Sequence, residues 1–346
     1  LMIGPGDYIL LRKVFGRMEL TWITFPAIVL SVSLAAYVAA YIFKGNDLLI
    51  NKVDVVDVDQ VSGLARGSTF LNLFSPQNRD YTLGAIPVPL DRDAPPIADA
   101  ASGETRPKLP PQTEVLTSWY SVPDVRFGGM GGSRPLSFGS RGYAYGPEGS
   151  VEYLEGVRVP IWSSRSITSR WFAPAAAPIV ESELETVGTD RVAGLITNRQ
   201  AVPLQDALLA FGKQVYILGE VAPGATVRVE LQGDRNLSGL LKDKLGKMLQ
   251  DSNYVNPEKL NRADLLLGIL FHESQSFLSS ERSVANNPLS YLDLSGQLAL
   301  DRPMLVARIQ RPGTSLTLGN TPGIPKINQT TLIRVILPLK MTKPPA

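Results

Sequence analysis

The sequence predicts a mainly β protein: an N-terminal transmembrane helix followed by two β-sandwich-like domains, the second carrying a helical hairpin insertion. Three observations carry that expectation. Residues 20–43 form an apolar run with no charged side chain. Beyond it, short segments rich in Val, Ile and Thr recur between turn residues, the pattern of half-buried strands. The 30 Gly and 27 Pro supply more turns than a helical bundle would use.

The helix comes first. LTWITFPAIVLSVSLAAYVAAYIF, residues 20–43, covers a hydrocarbon core of about 30 Å at 1.5 Å per residue with some tilt. A helix is the one open-ended element that satisfies its own backbone in lipid. Trp22 toward one end and Tyr37 and Tyr41 toward the other suit the two membrane interfaces. Pro26 falls in the first turns, where a missing N–H costs little. A signal peptide has a shorter apolar core and a small-residue cleavage site.

Arg12, Lys13 and Arg17 precede the run, whereas Lys44 and then Asp47, Asp54, Asp57 and Asp59 follow it. The positive-inside rule puts the N-terminal flank in the cytoplasm and the rest of the chain outside. Residues 1–10 are apolar enough to end an earlier span, with residues 11–19 as a cytoplasmic turn. With Leu1 in the first position, this suggests a fragment or processed product.

Residues 48–175 are expected to form the first β-domain. Val-rich 51–59, then 64–74 and 81–86 after turns at Ser62-Gly63 and Ser75-Pro76, suggest a three-stranded antiparallel meander. Residues 157–172 return to strand character and are placed against it. Two irregular stretches interrupt the domain. Residues 87–113 hold seven prolines and few large apolar side chains, the composition of a linker. Residues 128–149 are Gly-rich with interleaved aromatics.

Residues 179–346 are expected to form the second domain, a β-sandwich with strands near 179–187, 191–197, 207–211, 214–218, 226–231, 304–309, 315–318 and 330–339, the last of them central. A helical insertion occupies about 236–275. Leu237, Leu240, Leu241, Leu245, Met248 and Leu249 make one apolar stripe, and a second helix spans about 257–274. That stripe suits a lid packed on the sheet, with contact to a membrane surface or a partner as the alternative.

Composition narrows the function. Lys plus Arg number 34 against 32 Asp plus Glu, a formal charge of +2, which is too balanced for a polyanion binder. Nucleic acid is therefore not an expected partner. With no Cys there is no thiolate nucleophile, disulfide or sulfur-ligated metal. His272 is the single histidine, so no two-histidine metal site can form. Its neighbours Glu273 and Ser274 diverge from it on a helix and make no triad. Asp54, Asp57 and Asp59 lack the Gly and closing Glu of a calcium loop and suit a solvated strand face. No catalytic, metal or cofactor site is expected.

The most suggestive local group is the Gly-rich loop, where Phe138, Tyr143, Tyr145 and Tyr153 stand near Arg134 and Arg141. Aromatic and Arg side chains are enriched in protein-binding hot spots. Arg134, Phe138, Arg141, Tyr143 and Tyr145 are thus a candidate interaction loop, the other reading being that the aromatics pin the loop to the sandwich.

Several motifs together, Gly4-Pro5-x-Asp7-Tyr8, Thr21-Trp22-x-Thr24-Phe25-Pro26, Val55-Val56-Asp57-Val58-Asp59, Phe74-Ser75-Pro76, Thr197-Asn198-Arg199 and Arg334-Val335-x-Leu337-Pro338, resemble a group of uncharacterised bacterial membrane proteins of planctomycete-like lineages. Gly6 departs from the Val or Leu usual after that first Pro. The resemblance implies an earlier span and an extracytoplasmic β-rich C-terminal region, and it brings no assigned activity.

The expectation is a membrane-anchored binding or scaffold protein of the bacterial cell envelope. It would sit in the inner membrane, with the bilayer and an envelope protein as partners and no catalysis in this chain. The alternative is the anchor and support region of an envelope enzyme whose active site lies upstream. A transporter subunit is disfavoured, because one span without intramembrane charge builds no pathway.

Overall fold

The computed structural model describes residues 21–44, 47–90, 109, 111–120, 143–146, 150–175, 177–188, 190–230, 236–250, 262–274, 289–321 and 323–340. Helix α1 runs Thr21–Lys44 with Pro26 inside it, about 36 Å at 1.5 Å per residue. It is the one described helix long and apolar enough to cross a membrane, and no part of its apolar window is buried. Trp22, Leu30, Leu34 and Ile42 are largely exposed.

The strands are β1 (Leu49–Asp59), β2 (Leu64–Ser75), β3 (Arg79–Pro87), β4 (Glu114–Trp119), β5 (Ala144–Tyr145), β6 (Tyr153–Val159), β7 (Ser163–Pro174), β8 (Val180–Val187), β9 (Arg191–Asn198), β10 (Leu204–Phe211), β11 (Gln214–Val221), β12 (Thr226–Val229), β13 (Met304–Ile309), β14 (Thr314–Gly319) and β15 (Lys326–Ile336). Helices α2 (Leu237–Gln250), α3 (Arg262–Leu270) and the short α4 (Ser295–Leu298), with a 3₁₀ turn at Ser290–Leu292, lie between β12 and β13.

An eight-stranded sheet in the order β11-β10-β13-β15-β1-β2-β7-β4 is the backbone of the fold. A three-stranded sheet, β12-β9-β8, and a four-stranded sheet, β14-β3-β6-β5, complete it. The chain is mainly β, as the sequence predicts. The segments 48–175 and 179–346 each contribute four strands to the large sheet. They meet where β1 pairs in parallel with β15, Leu49 opposite Lys326 through Asp59 opposite Ile336.

The expected meander is corrected here. β1 and β2 form an antiparallel hairpin, but β3 leaves it and pairs with β6 and β14 in the smaller sheet. Ser75-Pro76 breaks β2, and the chain crosses between layers instead of reversing within one. The strand-like stretch 157–172 forms two strands, because Pro160 ends β6 and Trp162 takes a positive φ of 55° in the turn. β6 then joins β3, and β7 joins β2. Strand β4 lies in a stretch given no secondary structure in the sequence reading.

The two faces of β1 show how the layers pack. Ile50 joins a core with Tyr81, Leu83, Leu154 and Leu316 from the four-stranded sheet. Val56 and Val58 join another with Val180, Leu184, Val192 and Ile196 from the three-stranded sheet. On the reverse face Val55 packs with Leu237, Leu241, Leu245, Leu267, Leu270 and Phe271. The helical insertion thus covers one side of the large sheet, and its apolar stripe is used there. α3 ends at Leu270 instead of near residue 274, and residues 257–261 lie outside the described residues.

Between Ile50 and Val56, on the sandwich face, sit Lys52 and Asp54, both about 1 % exposed. Lys52 Nζ lies 3.3 Å from Asp54 Oδ2 and donates to the Thr314 carbonyl. The hydroxyls of Thr69 and Thr314 donate to Asp54 Oδ1 at 2.7 and 2.9 Å. The Gly313 N–H donates to Oδ2 at 2.9 Å. A Cβ on Gly313 would stand 2.8 Å from Val56 Cγ2 and 3.0 Å from Asp54 Cβ, so only glycine brings this N–H so close. The cluster ties β1, β2 and the start of β14 together.

The solvated face expected for the aspartates is therefore overturned for Asp54, and for Asp57 as well. Asp57 stands in register with Arg334 on β15 and Arg66 on β2. Arg334, 1 % exposed, donates through Nε to Asp57 Oδ1 at 2.5 Å and through Nη2 to Oδ2 at 2.9 Å. Its Nη1 donates to the Leu292 carbonyl, which fastens the 3₁₀ turn to the sheet. Arg66 Nε reaches the same carboxylate at 3.1 Å. Side-chain alternation in the sequence could not distinguish charges paired across strands from charges facing water.

Tyr216 on β11 links the large and three-stranded sheets, its hydroxyl accepting the Val192 N–H at 2.9 Å. Burial raises its phenol above the ordinary 10.0.

Two outcomes follow. Asp54→Ala leaves the Lys52 ammonium buried without its carboxylate, so unfolding stability should fall by about 3–5 kcal/mol, read as a lower urea midpoint with an unchanged slope. Adding Lys52→Met should recover part of that loss. For Tyr216, the raised native pKa means that the unfolded phenol ionises first. Its contribution is intact below the unfolded value near 10.0 and is lost as pH rises above it. Melting temperatures of the wild type should drop more steeply through that range than those of Tyr216→Phe.

Candidate functional site

Strand β4 is an edge strand of the large sheet, and its final residue is Trp119. Trp119 stands opposite Ile167 on β7, so Arg165, two residues before Ile167, lies diagonally across on the same face. The Arg165 guanidinium carbon is 5.6 Å from the centre of the Trp119 ring. Tyr143 meets Trp119 edge to face, with centroids 6.1 Å apart and planes at 75°. Tyr145 then meets Tyr143 at 6.1 Å and 87°. The result is a chain of one cation and three rings.

Each member is held by a different part of the fold. The Thr117 N–H donates to the Val151 carbonyl at 2.8 Å and its hydroxyl to the Glu152 carbonyl at 2.6 Å, fixing the β4 edge just before Trp119. Residues Ala144 and Tyr145 form β5, paired with Glu155 and Leu154 of β6. Tyr143 packs partly buried on the core of the four-stranded sheet, while Tyr145 is 41 % exposed. Trp119 Nε1 is shielded from solvent and has no hydrogen-bond partner. The surface therefore offers an exposed phenol, a stack of ring edges and a cation.

Of the five residues singled out in the loop, the structure brings Tyr143 and Tyr145 together. Arg134, Phe138 and Arg141 lie outside the described residues. Tyr153 is buried under the sheet instead. Trp119 and Arg165 were missed, since they come from separate strands and no local spacing announces them.

The opposite face of the same sheet carries a second ring cluster. Tyr120 meets Phe70 edge to face at 5.6 Å, and Arg170 lies 3.9 Å from the centre of the Tyr291 ring. Burial first, and then the neighbouring Tyr291, raises the Tyr120 phenol above its ordinary value. Tyr291 belongs to the 3₁₀ turn, so this cluster fastens the helical layer to β7.

His272 is half-buried in the turn after α3, and its Nδ1 has no partner. Glu273 beside it is exposed. Among the described residues, no group of three His, Asp or Glu side chains is placed to hold a metal ion.

These features define a β-rich chain of layered sheets with an apolar helix at its N-terminal side and an aromatic surface at a sheet edge. Residues 179–340 match a family described as a domain of unknown function (DUF8725). No curated protein sequence matches the chain. Among solved structures, the chain is similar to the yeast delta-COP-I mu-homology domain complexed with the Dsl1 WxWxV peptide, at 7% identity and a TM-score of 0.33, covering 86% of this chain and 98% of that one. The yeast delta-COP-I mu-homology domain by itself matches at 8% identity, with the same TM-score and the same coverage.

Proposed function

We propose that this chain is a membrane-anchored, extracytoplasmic binding protein of a bacterial cell envelope, and that it recognises a protein partner through the Trp119–Tyr143–Tyr145–Arg165 surface. The observation that carries the reading is the aromatic chain itself. Its outer ring is exposed while its inner rings are fixed by the sheets, so a partner would bind without first ordering the surface. Trp, Tyr and Arg are the side chains that dominate binding hot spots. The exposed Tyr145 ring and the Arg165 cation call for a partner segment with an apolar side chain beside a carbonyl or carboxylate.

The anchor reading rests on α1. An apolar helix with Trp22 88 % and Leu30 71 % exposed finds no apolar surroundings among the described residues, and a bilayer supplies them. The bacterial envelope is supported by the motif resemblance. The outward orientation is supported by Arg12, Lys13 and Arg17 on the N-terminal flank. Beyond the helix, Lys52 and Asp54 pair with each other in the core.

Orientation can be tested against a cysteine-free background. Val61→Cys, at a turn position 62 % exposed, should react with a membrane-impermeant maleimide on intact cells, and Lys13→Cys should be protected until the cells are lysed. The reverse pattern would place the β region in the cytoplasm.

For binding, a photo-crosslinking residue at Tyr145 in the full-length chain should capture a discrete partner. Trp119→Ala should weaken the interaction with that purified partner by about 2 kcal/mol, roughly thirtyfold in Kd. Tyr145→Ala, whose side chain is exposed, should weaken binding without changing the melting temperature. Unchanged affinity in both variants would remove this surface from the binding reading.

A further inference from the structure

The aromatic surface lies beside the Ile50 end of β1. At the Val58 end, a cavity of about 210 Å³ opens within the sandwich face. Val58, Ala65 and Ala173 line it from successive strands in register. Trp171 forms another part, lying flat on Gly67, where a Cβ would come within 2.4 Å of the indole. The remaining described lining is Pro87–Leu90, residues 111 and 113, and Pro174, Ala175, Ala177 and Ile179.

Several backbone polar groups of these walls are turned to other uses. The Val88 N–H donates to the Gly313 carbonyl at 3.1 Å, and Gly313 is itself held by Asp54. Arg311, buried, donates to the Pro89 carbonyl at 3.3 Å. Gln200, also buried, donates to the Leu90 carbonyl at 2.9 Å. Across the site, the Ala175 N–H donates to the Gly63 carbonyl at 2.9 Å. Among the described residues, no charged side chain lines the cavity.

These bonds have a second effect. A void in a core normally shrinks as its walls relax, and an empty one destabilises the fold in proportion to its volume. Here the walls are held apart by four backbone attachments and stiffened by Pro87, Pro89, Pro111 and Pro174, whose φ angles are fixed. An apolar cavity of roughly 150 Å³ is enough to stay dry and take up a benzene ring.

We infer that this cavity is a binding site for an uncharged hydrocarbon group of the bulk of a short alkyl chain. A charged or strongly polar ligand would find few partners among the described walls, chiefly the unpaired Trp171 Nε1, too little to replace its water. Two sources share this chemistry, the end of a membrane lipid acyl chain and a free hydrocarbon. The inference is independent of the aromatic surface and of the orientation of the chain.

The test uses Trp171 as its own reporter. The full-length chain carrying Trp22→Phe, Trp119→Phe and Trp162→Phe is placed in lipid nanodiscs, so that Trp171 is the sole tryptophan. Titration with 1-bromohexane should quench its fluorescence saturably, since bromine quenches indole at contact. Ala173→Leu in the same background fills the void. It should weaken the quenching by about tenfold or more and raise the melting temperature in the absence of probe. Val58→Ala enlarges the void and should shift preference toward 1-bromooctane, which keeps the inference testable if Ala173→Leu folds poorly. Quenching by bromo-acyl phosphatidylcholine in the disc would assign the ligand to the membrane, and quenching by the free alkane alone would assign it to a soluble hydrocarbon. Absent or non-saturable quenching by both probes, or quenching indifferent to both cavity variants, overturns the site.

Discussion

The Asp54 carboxylate holds the layers of this protein in place. A carboxylate shielded from water is costly unless each oxygen is met by a donor or a cation. Here two threonine hydroxyls, the Gly313 N–H and the Lys52 ammonium meet it. Those groups come from β1, β2 and the approach to β14, so satisfying one charge fixes the four-stranded sheet against the eight-stranded one. The same residue separates two apolar cores that would otherwise merge along β1, Ile50 in one and Val56 in the other. Through Gly313 it also sets the position of Val88, and with it one wall of the cavity.

The parallel pairing of β1 with β15 gives the sheet its long-range character. It joins residues 277 positions apart, and Asp57 with Arg334 marks its register on the helical face. A charge pair set in a β-branched run is a strong register signal, because a one-residue slip would send Arg334 to the sandwich face, away from Asp57 and into the apolar core. The Arg334–Leu292 bond and the Arg170–Tyr291 contact then fasten the helical layer to the same sheet. With that layer fixed on one face, the aromatic chain and the cavity fall on the other, at opposite ends of β1.

Much of the local structure was legible in the sequence. The apolar run gave α1, since a charge-free stretch of that length has few other uses. The stripe from Leu237 to Leu245 gave α2, and the Val- and Ile-rich runs gave most of the strands between β8 and β15. Each of those signals is a periodicity within one segment. Pairing is a relation between segments, so it was harder to read. Nothing within residues 79–87 indicates that β3 leaves its hairpin neighbour for β6 and β14. The candidate site followed the same rule. Tyr143 and Tyr145 are close in sequence and were found together, whereas Trp119 and Arg165 reach them only through the ladders β4–β7 and β5–β6.

The sequence by itself determined the mainly β class, the apolar helix, the amphipathic lid and the nearly balanced charge. These follow from the chemistry of single segments, where hydrophobic period and turn residues act over a few positions. Only the tertiary structure decided which aspartates are buried, which strands share a sheet, which rings meet and where the packing leaves room. Burial of a charge or the opening of a cavity depends on donors and walls supplied by residues hundreds of positions apart, as Asp54 with Gly313 and Thr314 shows.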